Sequence, residues 1–144
     1  MSGRVLVTGV LGCLGAWTAR ALLADGAEVV GLDLRSDARR LHEIMPEDEV
    51  ARVRLVAADV TDRPAIERVL DEHEITHVIH LAALQIPFCR ADPALGAAVN
   101  VLGTVNVFEA VKARRDRIAG PIVFASSAAL FGPLDVGRAE TDEQ

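Results

Sequence analysis

The stretch "RVLVTGVLGCLGAW", residues 4–17, decides how this chain is read. An apolar, β-branched run passes into Gly9, Gly12 and Gly15, spaced three apart, and then into a helical pattern. Glycine in a helix interior costs about 0.5–1 kcal/mol relative to alanine, so three at one helix start require a backbone reason. Placement between a strand and a helix supplies it. Gly9 turns the chain sharply out of the strand, Gly12 lets a ligand approach the backbone, and Gly15 lets the helix pack closely on the sheet. The helix start then presents N–H groups and a positive dipole end suited to a pyrophosphate. A tight strand–helix turn with no ligand is the alternative, and the spacing is G-x-x-G-x-x-G rather than G-x-G-x-x-G.

Working outward, runs rich in Val and Ile alternate with helical patterns. Strands are expected at residues 5–8, 28–33, 53–57, 76–82 and 122–126, and helices at 12–25, 36–45, from 62 onward, and 92–117. Gly26 ends the first helix and Pro46 stops the second. Asp62 reads as an N-cap with Pro64 in the first turn, and Asp92–Pro93 repeats that signal. Strands alternating with helices, without hairpin turns, predict parallel βαβ units. Near-continuous apolar strands predict helices on both faces. Right-handed crossovers then favour an α/β, doubly wound parallel sheet of about five strands in order 3-2-1-4-5, a Rossmann-type domain.

Composition agrees with a single domain. A chain of 144 residues buries about 70% of its unfolded surface. With four Phe, one Trp and no Tyr, the core must be built from Ala, Val, Leu and Ile. The net charge of −6 argues against nucleic-acid binding. Arg39–Arg40 and the basic run at 112–117 are local exceptions, the second reading as a solvated helix C-terminus. Cys13 and Cys89 make neither a disulfide framework nor a metal site. No signal peptide and no stretch of membrane-spanning length is evident, so a cytoplasmic location is expected.

Asp33 closes the second strand, 18 residues past Gly15. A carboxylate there accepts hydrogen bonds from both hydroxyls of an adenosine ribose and repels a 2′-phosphate, favouring NAD over NADP. Arg35 could counter that preference by binding the phosphate. Alternatively, Asp33 merely caps the next turn.

Five motifs occur in register: "TGVLGCLG" (8–15), "DV" (59–60), "HLAA" (80–83), "NVLGTVNVFEA" (100–110) and "FASSAALFG" (124–132). In these the chain resembles the extended short-chain dehydrogenase/reductase superfamily, which includes NAD-dependent epimerases and dehydratases acting on nucleotide sugars and related sugar dehydrogenases. The resemblance covers almost the whole chain. It implies that Gly9, Gly12 and Gly15 hold the pyrophosphate, with the N–H groups of Cys13 and Leu14 nearby. Asp33 would bind the ribose, Asp59 and Val60 would meet the adenine, and Leu81, Ala82 and Ala83 would line the cofactor. Asn100, an amide within the long helix, would brace the end of strand four. Ser127 matches the catalytic serine that hydrogen-bonds the reacting hydroxyl or carbonyl.

Other polar residues in these stretches have plainer readings. His80 reads as a packed core histidine and Cys13 as a small space-filler. Residues 85–93, "QIPFCRADP", read as a surface loop that could lend Gln85 or Arg90 to a substrate.

The resemblance also exposes a gap. The family's acid/base is a tyrosine followed four residues later by a lysine, some two to three dozen residues after the serine. This chain has no Tyr, its one Lys is Lys112, and Phe131 carries no hydroxyl. Residues 1–132 are therefore expected to form the NAD-binding domain, and 133–144 a polar tail leading toward an absent catalytic and substrate region. The expectation is the NAD-binding portion of an NAD-dependent epimerase/dehydratase or sugar dehydrogenase, truncated and inactive alone. A non-catalytic NAD(P)-binding sensor is the alternative. The resemblance further implies a nucleotide-sugar partner in the full-length enzyme and a homodimer through the 92–117 helix.

Overall fold

Leu6, at the centre of the first strand, aligns with Val30 on one side and Val78 on the other. A computed structural model describes residues 3–127, and every pairing of its strands is parallel. In chain order the elements are β1 (Arg4–Thr8), α1 (Cys13–Ala24), β2 (Glu28–Asp33), α2 (Arg39–Ile44), α3 (Glu47–Val50), β3 (Val53–Ala57), α4 (Arg63–Glu72) and β4 (His77–His80). There follow α5 (Ile86–Ala91), α6 (Pro93–Ala97), a π-helical turn (Ala98–Gly103), α7 (Thr104–Lys112) and β5 (Val123–Phe124). The sheet order is β3-β2-β1-β4-β5, as the alternation of strands and helices predicts.

Alternate side chains of β1 feed two cores. Val5 and Val7 pack with Ala16, Ala19 and Leu41 on one face. Leu6 packs with Leu32, Ile66, Leu70 and Val107 on the other. Because both faces are covered, the centre of the strand, Val5–Val7, is an unbroken apolar run. Asp62 caps α4 by accepting from the Ala65 N–H at 3.2 Å, with Pro64 in the first turn.

Several expectations need correction. Strand four ends at His80 rather than 82: the Leu81 N–H is shared between the Thr8 carbonyl and hydroxyl, and the Ala82 N–H turns to that hydroxyl. With β4 ended, the ladder to β5 stops at His80 opposite Phe124, so the fifth strand is two residues rather than five. The stretch 36–45 is the shorter α2, and Pro46 separates it from α3. Residues 86–91 form α5 rather than a loop.

The long helix differs most. It is α6, a π turn and α7 in succession, and it ends at Lys112, not Arg117. Beyond it, the Ala119 N–H donates to the Thr76 carbonyl at 2.7 Å. Arg114 and Arg117 both pair with Asp71 of α4, so this part of the basic run is committed to an ion-pair cluster. The two guanidinium groups hold the Asp71 carboxyl well below the usual carboxylate range.

By length and composition alone, the 20 residues Pro93–Lys112, with a mean hydropathy of 1.5, would suffice to cross a membrane, contrary to the sequence expectation. Their inward face is instead built into the domain. Gly103, Asn106, Val107, Ala110 and Val111 are buried.

Asn106 shows how this helix is fastened. Its buried amide donates to the carbonyls of Val60 and Thr61 at 3.1 and 3.0 Å, just beyond β3. Removing it leaves the buried Val60 carbonyl and the half-buried Thr61 carbonyl without their donor, a loss of about 1–3 kcal/mol. Asn106→Ala is therefore expected to lower unfolding free energy by about 2 kcal/mol in a denaturant titration. An unchanged midpoint would contradict this fastening.

Candidate functional site at the carboxyl edge of the sheet

The turn after β1 is set by two close approaches. Gly9 has φ +70°, and a β-carbon there would lie 2.8 Å from the backbone nitrogen and Cα of Ala82. A β-carbon on Gly15 would lie 2.1 Å from the Gly9 carbonyl oxygen, closer than any real contact. Gly12 is held less tightly. Its backbone is ordinary, at φ −75°, and its β-carbon would meet only the Gly9 oxygen at 3.1 Å. Gly9 and Gly15 are thus required by the fold, and Gly12 far less so.

Gly12 is the N-cap of α1, and its N–H turns back to the Gly9 carbonyl at 3.0 Å. The N–H groups of Cys13, Leu14 and Gly15 lie in the first turn, where a helix offers no acceptor. No side chain among the described residues caps them. They form a cluster of donors at the positive end of the helix, a donor set that fits a pyrophosphate. Cys13 is exposed beside them.

Asp33, at the end of β2, performs the turn-capping role and keeps capacity to spare. Its Oδ1 accepts from the Leu34 N–H at 2.9 Å and its Oδ2 from the Leu11 N–H at 3.0 Å. A carboxylate has about four lone-pair sites, so each oxygen retains one for a ligand hydroxyl. Asp59 lies two residues past the end of β3, and one of its oxygens accepts from the Thr61 N–H at 2.8 Å. Asp33, Asp59, Val60 and Gly9 line one cavity of about 190 Å³ with Ala82 and Ala83. Val60 is nearly buried, with its side chain against Gly103. Arg35, Arg39 and Arg40 line a separate cavity next door, together with Asp37 and Glu43.

Across the segment 82–84 lies a second, larger cavity of about 790 Å³. His80, Leu81, Ala82, Ala83, Asn100 and Ser127 line it, with Cys89, Arg90 and Thr104. The Asn100 side chain accepts from the Leu84 N–H at 2.7 Å and donates to the Leu84 carbonyl at 3.0 Å. It clamps the segment leaving β4 as a partner strand would. Its Nδ2 also lies 3.5 Å from Cys89 Sγ, whose thiol donates to the Leu84 carbonyl. Ser127 is exposed at the rim, three residues beyond β5.

His80 is buried, 1% exposed, with the Phe124 ring stacked against it, and burial pushes its imidazole below the ordinary histidine range. Of the sequence-predicted residues, Gly9, Asp33, Asp59, Val60, Ala82 and Ala83 meet at one cavity; Leu81, Ala82, Ala83, Asn100 and Ser127 meet at the other. Gly12, Cys13, Leu14 and Gly15 lie at the start of α1, flanking the first. The boundary expected at 132/133, the polar tail and Phe131 lie outside the described residues. Gln85 is the N-cap of α5, and Arg90 reaches the larger cavity from that helix. Sequence reasoning missed Thr8, Thr104 and Asn106, which position the site by hydrogen bonds to its backbone. A buried polar residue inside an apolar run was the one available signal.

A parallel sheet in this order, a glycine turn opening onto a helix start, and a carboxylate closing β2 define a Rossmann-type dinucleotide-binding domain. The family model described as GDP-mannose 4,6 dehydratase matches residues 6–144, and the chain belongs to this family, within the NAD-dependent epimerase/dehydratase group of short-chain dehydrogenases/reductases. It is 41% identical over 113 residues to UDP-glucose 4-epimerase of Mycolicibacterium smegmatis, which covers 76% of this chain and 34% of that protein. The UDP-glucose 4-epimerase of Thermus thermophilus, solved with NAD, superposes with a TM-score of 0.71 at 36% identity, over 86% of this chain and 37% of that one. The Bordetella bronchiseptica enzyme WbmG, solved with NAD and UDP, gives 0.75 at 31% identity, over 92% and 40%. The chain thus spans little more than a third of the length of these relatives.

The contact between Gly15 and Gly9 makes a test with a known sign. Glycine to alanine inside a helix ordinarily stabilises by about 0.5–1 kcal/mol. Gly15→Ala is expected to destabilise instead, lowering Tm by several degrees, about what 1–2 kcal/mol produces in a domain of this size. A raised Tm would contradict the packing.

Proposed function

We propose that this chain forms the NAD-binding half of an NAD-dependent epimerase or dehydratase whose substrate is a nucleotide sugar. One observation carries the reading: two cavities share the wall formed by Ala82–Leu84, one edged by Asp33 and Asp59, the other by Ser127. An elongated dinucleotide lying across that wall would place its adenosine at the carboxylates and its reactive end near the serine. The pyrophosphate would fall at Gly9–Gly15, where Gly12 is a glycine that the fold itself hardly needs. Asp33 takes the ribose hydroxyls, the Asp59 carboxylate takes the adenine amine, and Val60 with Leu81–Ala83 supplies apolar walls. Cys13 and Leu14 contribute backbone N–H groups. Asn100 holds the wall by its two bonds to Leu84.

When bound, NAD supplies a hydride acceptor. Ser127 holds the substrate hydroxyl or carbonyl by its Oγ. The proton must leave by another group, since general-base catalysis needs a carrier within hydrogen-bond reach. The 144 residues contain no tyrosine, and Lys112 is paired with Glu109 at the end of α7. The chain by itself is therefore expected to bind without turning over. That absence also keeps a second reading, a non-catalytic NAD-binding module of the cytoplasm. Residues 1–132 are assigned to the cofactor domain. The exposed Val101, Leu102 and Val105 support pairing of two copies through this helix, to be checked by sedimentation.

Calorimetric titration tests the cofactor assignment. NAD should bind more tightly than NADP, because Asp33 repels a 2′-phosphate. Asp33→Ala should weaken NAD by about 1.5–3 kcal/mol, the worth of hydrogen bonds to a charged group, and narrow the gap to NADP. An unchanged gap would remove Asp33 from cofactor choice.

A further inference from the structure

Among the described residues, His80 is the one buried titratable side chain at this edge, and nothing in the proposed chemistry uses it. Its partners settle its tautomer. Thr104 Oγ1 donates to the Asn100 carbonyl at 2.8 Å, so toward His80 Nε2, 3.1 Å away, it can only accept. Nε2 therefore carries the hydrogen. In a neutral imidazole Nδ1 is then an acceptor, and Thr8 Oγ1, at 2.7 Å, donates to it. That orientation leaves both lone pairs of the Thr8 hydroxyl for the N–H groups of Leu81 and Ala82, each at 3.2 Å. Every donor and acceptor in the chain of contacts is then matched, the Leu81 N–H being shared between the Thr8 hydroxyl and the Thr8 backbone carbonyl, each at 3.2 Å. The opposite tautomer would put three donors on one oxygen and leave the buried Thr8 hydroxyl hydrogen with no acceptor.

We propose that His80 is a positioning residue. As the neutral Nε2–H imidazole it links Thr104 to Thr8, and through the Thr8 hydroxyl it fixes the Leu81–Ala82 backbone that separates the two cavities. The inference rests on the NAD-site reading for its function, though not for its geometry. Ala82 is the critical point, because the Gly9 backbone abuts it and both cavities are lined by it. A displaced Ala82 would disturb the phosphate turn and both cavities together.

Protonation of His80 would break this arrangement, since an Nδ1–H forces the Thr8 hydroxyl to accept and displaces one of the two backbone donors. Among the described residues, the groups facing the ring are uncharged: Thr8 from β1, Asn100 and Thr104 from the helical side, and Phe124 from β5. Cys89 and Arg90 of α5 are the titratable groups that share its cavity. Burial lowers the imidazole's proton affinity, so the closed state persists below the ordinary histidine range, near pH 6.5, and opens only as pH falls through the lowered value.

Nitrogen-15 NMR of the 144-residue chain, with amide hydrogen exchange and NAD titration on the same samples, tests this. The expected result is a neutral His80 with its hydrogen on Nε2. In His80→Leu, Leu81 and Ala82 should exchange about tenfold faster, the scale of one lost hydrogen bond, while α1 and α4 are unchanged. NAD should weaken by a similar factor. His80→Asn, whose Oδ1 can accept from Thr8, should restore most of both and abolish the acid-dependent loss of protection. A hydrogen on Nδ1, or unaltered exchange at Leu81 and Ala82 in His80→Leu, would overturn the inference. Failure of the unaltered chain to bind NAD would reject the cofactor reading, and the tautomer and exchange results would still decide the role of His80.

Discussion

The backbone of α1 rests directly on the turn that precedes it, and the rest of the ligand edge depends on that contact. A side chain on Gly15 would stand 2.1 Å from the Gly9 carbonyl oxygen, so helix and turn can meet only if Gly15 is bare. The contact fixes where the first turn of α1 presents its N–H groups. It also pushes Gly9 against Ala82, which carries the geometry of β1 across to β4. A strand end, a helix start and a neighbouring strand end are locked into one piece of backbone before any polar side chain is considered.

One helical segment then holds the loops on the far side. Asn100 clamps Leu84 beyond β4, and Asn106 donates to Val60 and Thr61 beyond β3. Between them Thr104 reaches His80, and Gly103 lets the segment settle on Val60. The two amides are six residues apart, and the π turn at Ala98–Gly103 holds the first while α7 holds the second. Asn106 is buried and Asn100 half-buried, and a buried amide without partners would cost about 1–3 kcal/mol, so these are not neutral passengers of an apolar helix. Their bonds turn the helix into a brace for both cavities. The same apolar sequence that satisfies a membrane-length criterion is explained by packing on one face and by exposed Val101, Leu102 and Val105 on the other.

Much of this was legible in the chain because it rests on short-range signals. Strand order followed from the alternation of β-branched runs with helical patterns, and the Asp62 cap from its Pro64 neighbour. Gly9 and Gly15 announced the turn. The ends of elements were not legible, since they depend on contacts distant in sequence. Strand four stops at His80 because Thr8, 72 residues earlier in the chain, takes the Ala82 N–H on its hydroxyl and shares the Leu81 N–H between hydroxyl and carbonyl. The long helix stops at Lys112 because the chain turns back to Thr76 and Asp71. Asn100 stood out as an amide in an apolar helix, whereas Asn106, with the same logic, was overlooked. The donor roles around His80 depend on which groups approach it in space, which no local pattern records.

The central claim is that this edge is a preformed NAD half-site. Its most direct test is NAD titration of the nitrogen-15-labelled chain, followed amide by amide. The account predicts saturable shifts concentrated at Gly9, Cys13–Gly15, Leu34 and Ala82–Ala83, with the opposite edge of the sheet unmoved. Saturable shifts confined elsewhere, or none in a chain that shows a folded spectrum, would contradict it.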